Sequence, residues 1–387
     1  MRKKVLFIIG NLETGGVSKS ITSLLNVIDR KRYDVSLMVV NPTGAFKALI
    51  PDDIRIITDD RWAALTSGFS GLRLLMAQRQ YLLTIGHLLR LCLSRISKAK
   101  AGRLLAKLMP RLAEEFDAII DFNGQHQLYY MVDKLRAVKK ITFFHSDYSK
   151  WPYYYSADKK YFPKVDRIFS VSYECVDVLK QWFPAQVDKI GLMENIVALP
   201  LLDKMAAEPV DGIRSDKQVL LTVGHLCENK GTSWAIHAAS ILKERGIDFE
   251  WWFIGASDNY ELYKKLAADL GVDDRVRFLG IKVNPYPYIK AASIIVHPSR
   301  FEGKSIALDE ARLLCKPVVV TNFSTVKDQF TDRFDASICE MTPECIADAI
   351  TELMGDNCLR ETYKANLRAH RHDNSSEIEK LNQIIDA

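Results

Sequence analysis

Several things that would settle the reading early are missing from this 387-residue sequence. Its seven cysteines (Cys92, Cys175, Cys227, Cys315, Cys339, Cys345 and Cys358) are scattered, with no C-x-x-C pair. An odd, dispersed set argues against a disulfide framework or a zinc site and suits a reducing compartment. No apolar run reaches the roughly 18 residues that a membrane-crossing helix needs. The N-terminal run, Val5 to Ile9, is short and leads into a glycine turn, so it reads as a first β-strand rather than a signal peptide. That turn is not a G-x-G-x-x-G fingerprint, and no two Asp residues lie two apart, so neither a dinucleotide site nor a D-x-D metal signature is assigned. No repeat of 20–50 residues is found beyond a rough likeness of two halves.

One absence is local. Residues 61–112 contain no Asp or Glu, against ten Lys or Arg and fourteen Leu. The formal charge of the chain is +5, yet outside this segment 43 basic residues face 48 acidic ones. Leucine-rich helices with only cationic charges suit an anionic membrane surface, where each basic residue is worth about 1 kcal/mol. The plainer reading is a pair of packed helices with a solvated basic face. Nucleic acid is not expected, because no recognised motif and few aromatics for base stacking are present. The expected location is cytoplasmic, peripheral on the inner face of the membrane.

With 48% apolar and 26% charged residues, the rest reads as a globular chain of two or three domains. Strand-like runs at 4–10, 34–40, 54–58, 118–124, 139–147, 165–172 and 189–197, alternating with helical patterns, predict a doubly wound parallel sheet. A second series begins at 218–223 and continues at 249–257, 275–281, 293–297 and 316–320. The expected divisions are 1–200, 210–357 and terminal helices over 358–387, with the polar, Pro-bearing stretch 199–216 as linker.

The stretch SIIVHPSRFEGKSIALDEARLLCKPVVVTN, residues 293–322, reads as strand, loop, helix, strand. On a helical wheel, Ile306, Ala307, Leu308, Ala311, Leu313 and Leu314 form one apolar face, and Glu310 falls inside it. A carboxylate there must find partners, because an unpaired buried charge costs several kcal/mol or shifts its pKa. The loop before the helix carries Glu302, followed by Gly303, Lys304 and Ser305. A helix start beside glycine offers free N–H groups and a positive dipole end to a phosphate. Ionised carboxylates only accept hydrogen bonds, so two of them beside an anion site match sugar hydroxyls. A ligand with hydroxyls on both sides of a phosphate, such as a nucleotide sugar, fits both demands. A capping Glu and a core-edge Glu paired with an Arg would also explain the pair.

The setting SRFEGKSIALDEA, with Glu302-x7-Glu310, resembles the E-x7-E motif of family 4 retaining glycosyltransferases, which have the GT-B fold: two Rossmann-like parallel-sheet domains facing a central cleft. The resemblance is good over 219–355 and looser before; it implies an acceptor-side first domain (1–200), a nucleotide-sugar-binding second one (210–357) and terminal helices over 358–387 that return to the first. It implies that Glu310 holds the nucleotide ribose and that Glu302 contacts the transferred sugar, orienting it rather than acting as a nucleophile. Lys230 matches the family lysine that clamps the donor diphosphate. The arginine beside it is replaced by His225, whose imidazole cannot supply a permanently charged fork. Gly16, in the first glycine turn, would lie near the reacting sugar, and Gly280 would hold the base through backbone groups. His145, at a strand end, resembles a histidine that contacts the donor sugar. Asn195-Ile196 stands where the family has Asn-Gly.

The resemblance implies metal-independent transfer, with retention, of a sugar from a nucleoside diphosphate sugar, UDP being the commonest donor class, to a hydroxyl of a glycan or lipid-linked acceptor in surface-polysaccharide synthesis. No cofactor is expected. A sugar-nucleotide epimerase on the same scaffold, or a non-catalytic nucleotide-binding scaffold at the membrane, are the alternatives; a phosphorylase needs a longer chain. The Tyr-rich stretch 148–165 suits an acceptor site or an ordinary surface loop.

Overall fold

A computed structural model describes residues 2–13, 15–210 and 217–387. The chain divides into two units: Met1–Glu13, Val17–Ile196 and Ser376–Ala387 form the first, and Thr14–Gly16 with Val197–Ser375 form the second.

In the first unit the β-branched and aromatic runs become β1 (Lys3–Ile9), β2 (Tyr33–Val39), β3 (Arg55–Ile57), β4 (Glu115–Asp121), β5 (Arg136–Phe144), β6 (Arg167–Ser170) and β7 (Ile190–Leu192). They form one parallel sheet in the order β3-β2-β1-β4-β5-β6-β7. In the second unit, β8 (Gln218–Val223), β9 (Phe249–Ile254), β10 (Val276–Gly280), β11 (Ile294–His297), β12 (Val318–Thr321) and β13 (Ser337–Cys339) form a parallel sheet in the order β10-β9-β8-β11-β12-β13.

Each sheet is therefore doubly wound. The strand order reverses at β1/β4 in one and at β8/β11 in the other, and crevices at the carboxyl ends of such strands are where open α/β sheets hold ligands.

Among the described residues, sixteen helices cover the sheets: α1 (Gly16–Val27), α2 (Asp60–Thr66), α3 (Phe69–Ala77), α4 (Tyr81–Ile96), α5 (Lys98–Leu108), α6 (His126–Lys134), α7 (Tyr155–Tyr161), α8 (Tyr173–Trp182), α9 (Leu199–Ala206), α10 (Thr232–Glu244), α11 (Tyr260–Asp269), α12 (Tyr286–Ala291), α13 (Ile306–Leu313), α14 (Pro343–Gly355), α15 (Asn357–Ala369) and α16 (Ile378–Asp386). Covering both faces is what makes parallel strands apolar throughout instead of alternating. On β1, Leu6 and Ile8 enter the core on one side while Val5, Phe7 and Ile9 enter the other. On β8, Val219 and Leu221 are separated from Leu220 in the same way.

Two features differ from the sequence reading. Residues 61–112 fold as four helices, α2 to α5, because Ser67-Gly68 and Gln78–Gln80 interrupt the pattern. The expected linker 199–216 opens with α9, which begins right after the unit boundary and has Pro200 in its first turn, where a missing N–H costs nothing. Residues 211–216 of that linker lie outside the described residues. In the tail, α15 buries Tyr363 and Leu367 in the second unit, whereas α16 places Ile378, Leu381 and Ile385 in the core of the first. Lys3 Nζ donates to Ile385 O at 2.7 Å, tying α16 beside β1.

Candidate functional site

In the second unit, β11 carries the chain to a loop at the carboxyl end of the sheet, and Gly231 decides what meets it there. Gly231 has φ +68°, and a Cβ on it would lie 1.9 Å from the Pro298 carbonyl oxygen, so only glycine fits. The close approach docks the loop before α10 on the loop after β11. Arg300 N–H donates to Asn229 O at 2.9 Å, and the Arg300 guanidinium stacks 4.4 Å from the Trp234 ring centre.

Docking brings Lys230 onto Glu302, with Nζ 2.5 Å from Oε1. The same carboxylate is reached by His297 Nε2 at 2.8 Å and accepts from Ser299 Oγ at 2.8 Å. Thr325 Oγ1 donates to Glu302 O at 3.1 Å and Thr321 Oγ1 to Ser299 O at 2.6 Å, so the loop itself is pinned. Glu302 is 8% exposed. Burial pushes its pKa up, but the charge of Lys230 and the hydrogen bond from His297 outweigh that and bring it down to about 2.

Ser305 caps α13, accepting from Leu308 N–H at 3.4 Å. Gln329 spans this start: its Oε1 accepts from Ser305 N–H at 3.0 Å, and its Nε2 donates to Ser305 O at 2.8 Å and Asp309 Oδ1 at 2.9 Å. Two amides expected to face a phosphate are thus already engaged, which leaves those of Ile306 and Ala307 ahead of the first intrahelical bond. Glu310 is 1% exposed, and its Oε1 accepts from the Tyr286 hydroxyl at 3.0 Å. Burial and the Glu310 charge push the Tyr286 pKa well up, so that hydroxyl stays a donor.

Lys230, Glu302, Gly303, Lys304, Ser305 and Glu310 therefore share one end of the second unit, with Gly303 and Lys304 buried. His225 lies on the loop after β8, half exposed, 3.9 Å from Asp258. Gly280 ends β10 at φ +69°, and its carbonyl accepts from Gly255 N–H at 3.0 Å. Gly16 opens α1. His297, Ser299, Tyr286 and Gln329 were not singled out in the sequence. His297 gave the same signal as His145, a histidine closing a strand at its carboxyl end; the other three gave none.

His145 belongs to the first unit, where it lines a cavity of about 470 Å³ at the carboxyl ends of β1, β2, β4 and β5. Its ring lies over Phe143 (centroids 5.6 Å apart) and Phe122 (4.8 Å). Burial lowers its pKa to about 4 against the opposing hydrogen bond with Asn195, so the imidazole is neutral at pH 7. Asn195 Oδ1 also accepts from Ser20 Oγ at 2.8 Å.

Gln125, at the rim of α6, holds φ +56° and ψ −126°, a conformation that costs a non-glycine residue on the order of 1–3 kcal/mol and concentrates at functional sites. The buried Asp121 carboxylate supports that loop, accepting from the N–H groups of Asn123 and Gly124 and from Thr142 Oγ1.

Residues 203–370 match the family described as Glycosyl transferases group 1. The alpha-D-kanosaminyltransferase of Streptomyces kanamyceticus is 29% identical over 155 residues, 39% of this chain and 40% of the relative. The Campylobacter jejuni N-acetylgalactosamine-N,N'-diacetylbacillosaminyl-diphospho-undecaprenol 4-alpha-N-acetylgalactosaminyltransferase is 27% identical over 216 residues, 55% of this chain and 58% of the relative. The chain thus matches little more than half the length of these curated relatives, or less. In structure it is similar to Anabaena HepE in complex with UDP and glucose, with a TM-score of 0.71 and 15% identity, covering all of both chains. The fold is GT-B.

The depressed carboxyl yields a stability prediction with a definite sign. A group whose pKa falls from the usual 4.5 to about 2 on folding stabilises the fold above about 4.5 and loses that contribution as pH drops towards 2. At neutral pH it is worth on the order of 3 kcal/mol. In urea unfolding, the gap between the protein and its Glu302→Gln variant is expected to shrink steadily from pH 4.5 to pH 2. A gap independent of pH in that window contradicts the ion-pair geometry.

Proposed function

We propose, from the match of residues 203–370 to the group 1 glycosyl transferases, that the chain transfers a sugar, with retention, from a nucleoside diphosphate sugar to an acceptor hydroxyl. The observation that carries the reading is the ion pair of Lys230 with the buried Glu302, which His297 and Ser299 also contact, with Glu310 eight residues further on one apolar helix face. Such a site presents one cation, two carboxylates and a helix start. Those are the partners that a diphosphate, a ribose and a hexose need.

The acceptor oxygen attacks the anomeric carbon on the face that the diphosphate leaves. The bond from that carbon to the phosphate oxygen breaks, and the acceptor proton passes to a diphosphate oxygen. Lys230 and the amides at the start of α13 meet the charge that develops on the departing group. Glu302 orients the sugar hydroxyls, and Glu310 holds the ribose. UDP is the donor nucleotide favoured by the likeness to HepE, whose structure contains it. The undecaprenol-linked substrate in the name of the Campylobacter relative favours a lipid-linked acceptor.

That acceptor agrees with the surface of α3 and α4. Leu82, Ile85, Leu89 and Ile96 form an exposed stripe along α4, with Phe69, Leu74 and Met76 exposed on α3. No helix among the described residues is long and apolar enough to cross a membrane. An apolar stripe flanked by Arg73, Arg79 and Arg95, in a segment without acids, fits the surface of an anionic bilayer, and we assign this face to it.

Two outcomes follow. Glu302→Ala is expected to abolish transfer from UDP-sugars while the variant still binds UDP in calorimetry. Lys230→Ala is expected to weaken UDP about 10- to 100-fold, the value of a charge-assisted hydrogen bond. Undiminished transfer by Glu302→Ala sinks the catalytic reading. In flotation assays the protein is expected to bind vesicles containing phosphatidylglycerol but not phosphatidylcholine alone, and the double variant Leu82→Ser, Ile85→Ser should lose binding. Equal binding to both vesicle types removes the membrane assignment.

A further inference from the structure

At the other end of the second unit's sheet, cations outnumber acids. Lys316 and Pro317 lead into β12, and Ile295 N–H donates to Pro317 O at 2.9 Å, so this corner lies at the amino ends of β11 and β12. The Glu302 loop leaves β11 at its carboxyl end. A cavity of about 430 Å³ opens at the amino-end corner between α9, α12, α15 and the end of α13. Its charged lining is Lys290, Lys316, Lys364, Arg368 and Arg371 against Asp203 alone. The volume lies in the range of small-molecule sites, about 300–1,000 Å³.

Three of the five cations are committed within the fold. Lys316 Nζ donates to Lys290 O at 3.0 Å and Arg371 Nε to Leu313 O at 2.6 Å, each meeting a carbonyl in the last turn of a helix, where the dipole favours a cation. Arg371 also pairs with Asp203, and Lys364 pairs with Glu361 at 2.7 Å. Lys290 and Arg368 are different. Both are exposed, and among the described residues neither side chain has a hydrogen bond or an ion pair.

The crowding reaches the buried member of the set. Burial and the charge of Lys364 push the Lys316 pKa down to about 8, against the opposing pull of Cys315 and Glu361. An anion nearby would favour its charged form. Cys315, in the cavity wall, holds φ +52° directly after the α13 cap, where glycine is the usual residue. Backbone strain of that kind gathers at ligand clamps.

We propose that this cavity binds the phosphate of a soluble phosphomonoester, with Lys290 and Arg368 supplying the free donors and Lys316 a buried charge. The site stands independently of glycosyl transfer and at the opposite end of the sheet from Glu302. Two charges on the ester match the two uncommitted cations, and the planar Arg368 fork can take two phosphate oxygens. Space beside Ala206 and Leu313 is left for an uncharged body. A lipid headgroup is a poorer match, because no large hydrophobic residue of α9, α12, α13 or α15 is exposed to enter acyl chains among the described residues.

The test is calorimetric titration of glucose 6-phosphate, doubly charged at neutral pH because its second pKa is about 6. It is titrated into the full chain, into Lys230→Ala and into the double variant Lys290→Ala, Arg368→Ala. Both side chains of the double variant are exposed and unpaired, so its urea midpoint is expected to stay that of the unaltered protein. Saturable binding is expected in the unaltered chain and in Lys230→Ala, and binding at least about ten-fold weaker in the double variant, the value of one charge-assisted hydrogen bond. Glucose 6-sulfate, with a single charge, is expected to bind more weakly than the phosphate ester by a similar factor. Absence of saturable binding, its loss in Lys230→Ala, a double variant that binds as tightly as the unaltered chain, or equal binding of the two esters each overturns the inference. Flotation with phosphatidylglycerol vesicles is expected to be unchanged in the double variant. A loss there would give the cavity to lipid headgroups and overturn the soluble ligand.

Discussion

A carboxylate almost wholly removed from water has to be neutralised within the protein, and Glu302 organises the second unit by that need. Removing one partner of such a pair leaves a buried charge whose cost is on the order of 3–5 kcal/mol. Several features of the local sequence serve the pairing. Gly231 permits the Pro298 carbonyl to approach, the approach delivers Lys230, and Thr321 and Thr325 stop the loop from drifting. His297 and Ser299 contact the same carboxylate oxygen. Lys230 is therefore engaged by Glu302. An arriving diphosphate would exchange one anion for another at that ammonium, while His297 and Ser299 continue to hold the carboxylate.

The two sheets share a strand order but differ in the chemistry at their carboxyl ends. The site of the second unit is ionised and closely paired. The cavity of the first is amide-lined, with both of its histidines kept neutral. One topology thus carries two electrically different surfaces, set by its loops alone.

Much of this was legible beforehand. Runs such as KKVLFII and QVLLTV announce strands buried on both faces, and the wheel over 305–315 locates Glu310 inside an apolar stripe, where the structure has it. Glu302 and Ser305 go together because spacing within a strand-loop-helix unit is a local property, whereas Lys230, 72 positions away, is given by the family resemblance. What stayed hidden depends on long-range meetings. Tyr286 reaches Glu310 from a helix that no strong periodicity marks, and Gln329 reaches Ser305 from a single turn. Asn195 and Ser20 meet across 175 positions. The left-handed backbone of Gln125 could not be read, since the sequence there offers no reason to expect a strained non-glycine residue. The segment 61–112 was recognised by charge, but its division into four helices depends on short interruptions that composition does not weigh.

The claim that Lys230 exchanges Glu302 for a diphosphate is tested most directly by calorimetric titration of UDP into the protein and into Glu302→Gln at one pH and salt. The neutral amide frees the ammonium from its competitor, so the account predicts that the variant binds UDP at least as tightly as the unaltered protein, by a few-fold if the exchange limits affinity. A ten-fold or greater loss would mean that the carboxylate builds the nucleotide site instead of competing for its cation, and would contradict the account.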